Sequence, residues 1–135
     1  MEPGSASKPN PPFATPRNCI LVVEDEILIR MMVSDELRDA GFHVIEACDA
    51  DEALTILRSV VPDLIVSDIR MPGSLDGLGL LAAVRESFPM LPVIITSSHL
   101  PSAAPVCDSA TQFVAKPYRP EGIIKAVRGE LAKPT

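Results

Sequence analysis

Leu64-Ile65-Val66-Ser67-Asp68-Ile69-Arg70-Met71-Pro72-Gly73 is the stretch on which the reading of the chain turns. Its apolar residues run on without alternating with polar ones, as in a short strand covered on both faces. The run stops at a carboxylate, Asp68, and Pro72-Gly73 marks the loop that follows. The same figure recurs on either side. Cys19-Ile20-Leu21-Val22-Val23 stops at Glu24-Asp25-Glu26, Val93-Ile94-Ile95 stops at Thr96-Ser97-Ser98, and Gln112-Phe113-Val114-Ala115 runs into Lys116-Pro117. Phe42-His43-Val44-Ile45-Glu46 reads as one more strand.

Helical patterns separate these runs. Ile29, Val33, Leu37 and Ala40 share one helical face, and Gly41 is placed to end that helix in a left-handed cap. Asp49 and Glu52 resemble a capping box ahead of Ala50, Ala53, Leu54 and Leu57, and Pro62 breaks that helix. A third helix carries Leu78, Leu81, Ala82 and Val84. A last one starts near Pro120 and presents Ile123, Ile124, Val127 and Leu131, weakened by Gly122 and Gly129 at about 1 kcal/mol each. Pro101 and Pro105 interrupt the stretch from Leu100 to Ala110, so the fourth helix is expected to be short or irregular.

Strands alternating with helices imply an α/β fold, a doubly wound five-stranded parallel sheet with right-handed crossovers. The flavodoxin-like strand order 2-1-3-4-5 is expected, with one domain over residues 18–133. Residues 1–17 read as a disordered tail, because five prolines lie there among glycine and serine with nothing periodic to bury.

Composition narrows the function. The chain of 135 residues is 47% hydrophobic but only 4% aromatic, so one aliphatic core is expected. A formal net charge of -6 argues against a nucleic acid or an anionic membrane as the direct partner. Cys19, Cys48 and Cys107 are odd in number and form no CxxC pair, so reduced thiols in a cytoplasmic protein are expected. No apolar run reaches the roughly 18 residues of a membrane span, and no signal-peptide pattern opens the chain.

In an open parallel sheet, sites form beyond the carboxyl ends of the strands where strand order reverses. Strands one and three are neighbours there, so Glu24, Asp25 and Asp68 should converge, with Thr96 and Lys116 completing the rim. Three converging carboxylates repel one another unless a cation intervenes, and a hard divalent ion such as Mg²⁺ suits oxygen ligands. Lys116 adds a point charge and Thr96 a hydroxyl, a set able to hold a phosphoryl group on an aspartate nucleophile. Each residue has a plainer reading: Glu24 and Asp25 as helix caps, Asp68 as a loop aspartate, Thr96 as a strand residue, Lys116 as a solvated lysine. Their joint placement at four strand ends is the specific signal.

On these motifs the chain resembles the receiver domain of two-component response regulators over residues 19–131. Val22-Val23-Glu24-Asp25-Glu26 is similar to that family's acidic turn, Ser67 to Gly73 to its phosphoacceptor loop, followed by Asp76-Gly77, and Lys116-Pro117 to its Lys-Pro pair. The resemblance implies that Asp68 is phosphorylated from a phosphohistidine on a sensor histidine kinase or histidine phosphotransfer protein. It implies Mg²⁺ held by Asp25, Asp68 and the Arg70 backbone carbonyl, with Glu24 acting through water. It implies catalytic roles for Asp68, Lys116 and Thr96, a cis Lys116–Pro117 bond, and a switch in which Thr96 and Phe113 move together. The partners so implied are the phosphodonor, a downstream effector protein and, as a further option, a second copy of the chain as a homodimer.

The chain departs from the family pattern in places. Phe113 stands where many relatives have tyrosine, and Pro72-Gly73-Ser74-Leu75-Asp76-Gly77 is one residue longer than the common loop. Arg70 and Ser98 occupy positions that tune dephosphorylation in the family, and His99 reads as a solvated loop residue. With Thr135 as its last residue, the chain is expected to act by binding, not through an attached output domain. A haloacid-dehalogenase-type phosphatase shares the aspartate, the Mg²⁺ and the lysine, but wants a second aspartate where Arg70 stands. A nucleotide-binding module lacks its glycine-rich loop after strand one. A receiver that no longer accepts phosphate is the third rival.

Overall fold

The computed structural model describes residues 18–70, 73, 75–97 and 110–133. The expected N-terminal tail, the fourth helix between Leu100 and Ala110, Ser98, His99 and Cys107 lie outside these residues. Within them run β1 (Cys19–Val23), α1 (Ile27–Asp39), β2 (His43–Ala47), α2 (Ala50–Leu57), β3 (Leu64–Asp68), α3 (Gly77–Ser87), β4 (Val93–Ser97), β5 (Thr111–Ala115) and α4 (Pro120–Leu131). Every strand pair is parallel and the order is β2-β1-β3-β4-β5, as the alternation of runs and helices implies.

The central strands β3 and β4 are buried along their whole length, which is why their sequences do not alternate. Alternate residues feed two aliphatic clusters. Leu21, Val23, Ile65 and Ile95 pack on one face beneath α2 and α3, with Ala53, Leu80, Leu81 and Val84. Ile20, Val22, Val66 and Ile94 pack on the other beneath α1 and α4, with Val33, Leu37, Ile123 and Val127.

Helix ends explain where the observed elements differ from expectation. Gly41 has φ +102°, its N–H donates to Arg38 O at 3.0 Å, and the Phe42 N–H donates to Leu37 O at 3.0 Å. This pair of bonds is a Schellman motif. It takes the Phe42 N–H out of reach of a ladder, so β2 begins one residue later than expected and ends at Ala47. At α2, Asp49 accepts from the Glu52 N–H at 2.8 Å, but the Glu52 carboxylate turns back to the Cys48 N–H at 2.7 Å, one residue before the expected donor.

In α3 the buried face is Gly77, Leu80, Leu81 and Val84, with Ala82 exposed and Leu78 only partly covered. Asp76 caps that helix by accepting from the Gly79 N–H at 2.8 Å, so Gly77 is its first residue and sets the inward face.

Candidate functional site

Five parallel strands end on one edge of the sheet, and the last residues of β1, β3, β4 and β5 converge there. Asp68 closes β3 and is 8% exposed, with Thr96 of β4 as its register partner. The chain leaving Asp68 is pinned at once. The Ile69 N–H donates to Thr96 O at 3.0 Å, the Ser67 hydroxyl donates to Asp68 O at 3.0 Å, and the Gly77 N–H donates to Ile69 O at 2.7 Å. The last bond brings the start of α3 hard against the end of β3. A Cβ on Gly77 would lie 2.7 Å from Ile69 Cα and 2.9 Å from the Asp68 carbonyl carbon, so only glycine fits.

Beyond β1 the acidic turn faces this aspartate. Glu24 is 4% exposed, whereas Asp25 is exposed. One carboxylate oxygen from each of Glu24, Asp25 and Asp68 lies within 4.8 Å of the other two. The N-cap of α1 is Glu26, whose own side chain makes no capping bond. A Glu24 oxygen accepts from the Glu26 N–H at 3.1 Å.

Just past β5, the Lys116–Pro117 bond is cis. The Lys116 N–H donates to Ser97 O at 2.8 Å, and its Nζ stands 3.2 Å from Asp68 Oδ2 and 3.4 Å from Glu24 Oε1. Burial by itself would push the lysine pKa down, but the facing Glu24 and Asp68 charges outweigh it and hold the ammonium above its ordinary value. Glu24 is pushed up to about 7, first by burial and then by the Asp68 charge, against the pull of the Glu26 N–H and of Lys116. One ammonium facing three carboxylates leaves the pocket short of positive charge.

That deficit fits a divalent cation. In an octahedron with Mg²⁺–oxygen bonds of about 2.0–2.1 Å, ligand oxygens stand roughly 2.9 Å apart when adjacent and about 4.1 Å apart when opposite. Carboxylate oxygens within 4.8 Å of one another are near enough to share one such ion after small side-chain adjustments. Arg70, two residues after Asp68, is exposed.

Thr96 is buried, and β5 places Val114 opposite it. Phe113 stands opposite Ile95 and packs, partly buried, against the cluster under α2 and α3. Thr96 and Phe113 are thus one step apart in register.

Two residues at the site carry no signal in the sequence reading. Tyr118 lines a narrow space together with Glu24, Asp68 and Thr96, and burial raises its phenol pKa. It follows the Lys-Pro pair directly, a position that could have pointed to it. Arg30 donates from Nη1 to Glu24 O at 2.8 Å and pairs through Nε with Glu46 Oε1 at 3.1 Å. Its only sequence cue is an arginine one helical turn after an acidic turn, a common pairing.

The sequence matches the family described as the response regulator receiver domain over residues 20–128. It is 41% identical over 105 residues to the DNA-binding transcriptional regulator NtrC of Salmonella typhimurium, a match covering 76% of this chain and 22% of that protein. The chain therefore spans only about a fifth of that relative's length. The receiver domain of NtrX from Brucella abortus superposes with a TM-score of 0.77 at 36% identity, over 85% of this chain and 99% of that one. Chemotaxis protein CheY4 of Vibrio cholerae gives 0.74 at 31%, over 83% and 97%. The response regulator TrrA of Thermotoga maritima, solved in complex with Mg²⁺ and BeF, gives 0.75 at 27%, over 84% and 98%. With its strand order, its acidic pocket and its Lys-Pro turn, this chain belongs to the response regulator receiver domain family of two-component signalling.

Proposed function

We propose that the domain accepts a phosphoryl group on Asp68 in a Mg²⁺-dependent reaction and passes its state to a partner protein. The observation that carries this reading is the placement of the Asp68 carboxylate: 8% exposed, 3.2 Å from the Lys116 ammonium, and grouped with Glu24 and Asp25. The donor is a phosphohistidine on a sensor histidine kinase or histidine phosphotransfer protein. An Asp68 carboxylate oxygen attacks phosphorus, the P–N bond breaks, the imidazole leaves with a proton, and an acyl phosphate remains.

Asp25, Asp68 and the Arg70 carbonyl would hold the cation, with Glu24 reached through water. When bound, it supplies positive charge against the phosphoryl oxygens. Lys116 exchanges part of its contact with Asp68 for a phosphoryl oxygen, and Thr96 donates its hydroxyl to another. Moving Thr96 toward the phosphoryl group vacates space beside Phe113, which can then turn inward. Phe113 has no hydroxyl, so packing alone stabilises its inward position.

Exposed Ile27, Leu28, Met31 and Met32 on α1 lie beside the acidic turn and offer apolar area to a protein that covers Asp68. No helix among the described residues is long and apolar enough to cross a membrane.

Incubation with acetyl phosphate and Mg²⁺, followed by intact-mass measurement, tests the reading. Wild type should gain one phosphoryl mass, and none when the metal is chelated beforehand, and Asp68→Asn should gain none. Equal gain by the mutant, or none by wild type, sinks it.

A further inference from the structure

We propose that Arg30 is a positioning residue for the cation site: its guanidinium holds the Glu24 carbonyl and so fixes the turn that presents Glu24 and Asp25. The inference rests on the metal-assisted reading above.

Hydrogen bonds from three directions hold the Glu24 end of the acidic turn. The Glu24 N–H donates to Ala47 O at 3.0 Å, the Glu26 N–H donates to Glu24 Oε2 at 3.1 Å, and Arg30 Nη1 donates to Glu24 O at 2.8 Å. The first is the last rung between β1 and β2, and the second belongs to the Glu24 side chain itself. The third is supplied from α1. Val23 is the last residue of β1 in the sheet register, so the Glu24 carbonyl lies beyond the ladder. A partly buried carbonyl at that place needs a donor.

Arg30 is itself held in place. Its Nε pairs with Glu46 Oε1 at 3.1 Å, and its side chain is only 16% exposed. The other Glu46 oxygen takes Arg38 Nη2 at 3.1 Å, so both carboxylate oxygens are engaged. Arg30 and Arg38 are two turns apart on the side of α1 that faces β2. Glu46 on β2 therefore fixes the angle from which the guanidinium reaches the turn, an arrangement that planar, forked geometry permits and an ammonium does not.

Charge and position make opposite demands here, which makes the role testable. A cation near three carboxylates opposes binding of a second cation, so deleting Arg30 for its charge alone should tighten Mg²⁺ binding. Deleting it as a support should loosen binding, by about tenfold on the pattern of residues that orient metal ligands.

The test is the Mg²⁺ Kd, read from backbone amide shifts of residues 24–26 in an NMR titration of the whole chain. Arg30→Met should weaken binding about tenfold despite losing a positive charge, and Arg30→Lys should weaken it too despite keeping one. Arg38→Met, which leaves the same Glu46 but never touches Glu24, should stay within about twofold of wild type. Equal or tighter binding by Arg30→Met overturns the proposal. If that variant does not fold, an unchanged Kd in Arg30→Lys overturns it instead. Absence of saturable Mg²⁺ binding in wild type would remove the metal-assisted reading and this inference with it, whereas normal wild-type binding with unaltered variants removes the inference alone.

Discussion

One substitution, glycine to alanine, should change stability in opposite directions at two helix positions. Gly77 opens α3 and Gly122 lies in the first turn of α4. At either site alanine gains up to about 1 kcal/mol from reduced freedom of the unfolded chain. At Gly122 nothing stands within 4 Å of the added carbon, so that gain should survive almost whole. At Gly77 the carbon meets Ile69 Cα at 2.7 Å, the Asp68 carbonyl carbon at 2.9 Å and, closest of all, the Asp68 carbonyl oxygen. These are backbone atoms that cannot rotate aside, so α3 must retreat and the 2.7 Å bond from the Gly77 N–H to Ile69 O must stretch.

Overpacking of this kind costs about 1–3 kcal/mol, which exceeds the propensity gain. Gly77→Ala should therefore lose up to about 2 kcal/mol, while Gly122→Ala gains somewhat less than 1. Urea denaturation with an unchanged slope reads both, and the corresponding Tm shifts are roughly 4 °C per kcal/mol in a domain of this size. Because the retreat begins beside Asp68, Gly77→Ala should also slow phosphorylation by acetyl phosphate. If Gly77→Ala were as stable as wild type and as readily phosphorylated, the argument that α3 sets the position of Asp68 would fall.

Ser34 is fully buried on α1 and its hydroxyl has no hydrogen-bond partner, so Ser34→Ala should raise stability by about 1 kcal/mol, read as a higher urea midpoint. Glu24, with its pKa moved from 4.5 to about 7 in the fold, binds a proton there that the unfolded chain releases. Without metal, stability should therefore fall as pH rises from about 4.5 to 7, and Glu24→Gln should flatten that slope in pH-dependent urea melts. The same proton competes with the cation, so the apparent Mg²⁺ affinity should drop about tenfold between pH 8 and pH 6 in wild type and less in Glu24→Gln.

Much of this was legible in the residues because strand burial and strand ends leave plain marks. Continuous apolar runs at Cys19–Val23, Leu64–Asp68 and Val93–Ser97 identify the strands, and the polar residues that stop them are the ones the sheet gathers. What escaped depends on contacts that a linear pattern does not carry. The start of β2 shifted because a helix cap captured the Phe42 N–H, a bond made across the turn from Leu37. The inner face of α3 was set by how closely Gly77 approaches Asp68, not by the periodicity of Leu78 and Ala82. Arg30 draws its role from Glu46, sixteen residues away on the neighbouring strand.

The central claim is that the phosphoryl group is carried as an acyl phosphate on Asp68. Borohydride reduces an aspartyl phosphate to homoserine, so reduction after treatment with acetyl phosphate and Mg²⁺, then peptide mass mapping, reads the acceptor directly. The account predicts homoserine at position 68 and at no other aspartate, with none when Mg²⁺ is chelated. Homoserine at Asp25 or Asp76, or an unreduced Asp68 in protein that carries the phosphoryl mass, would contradict it.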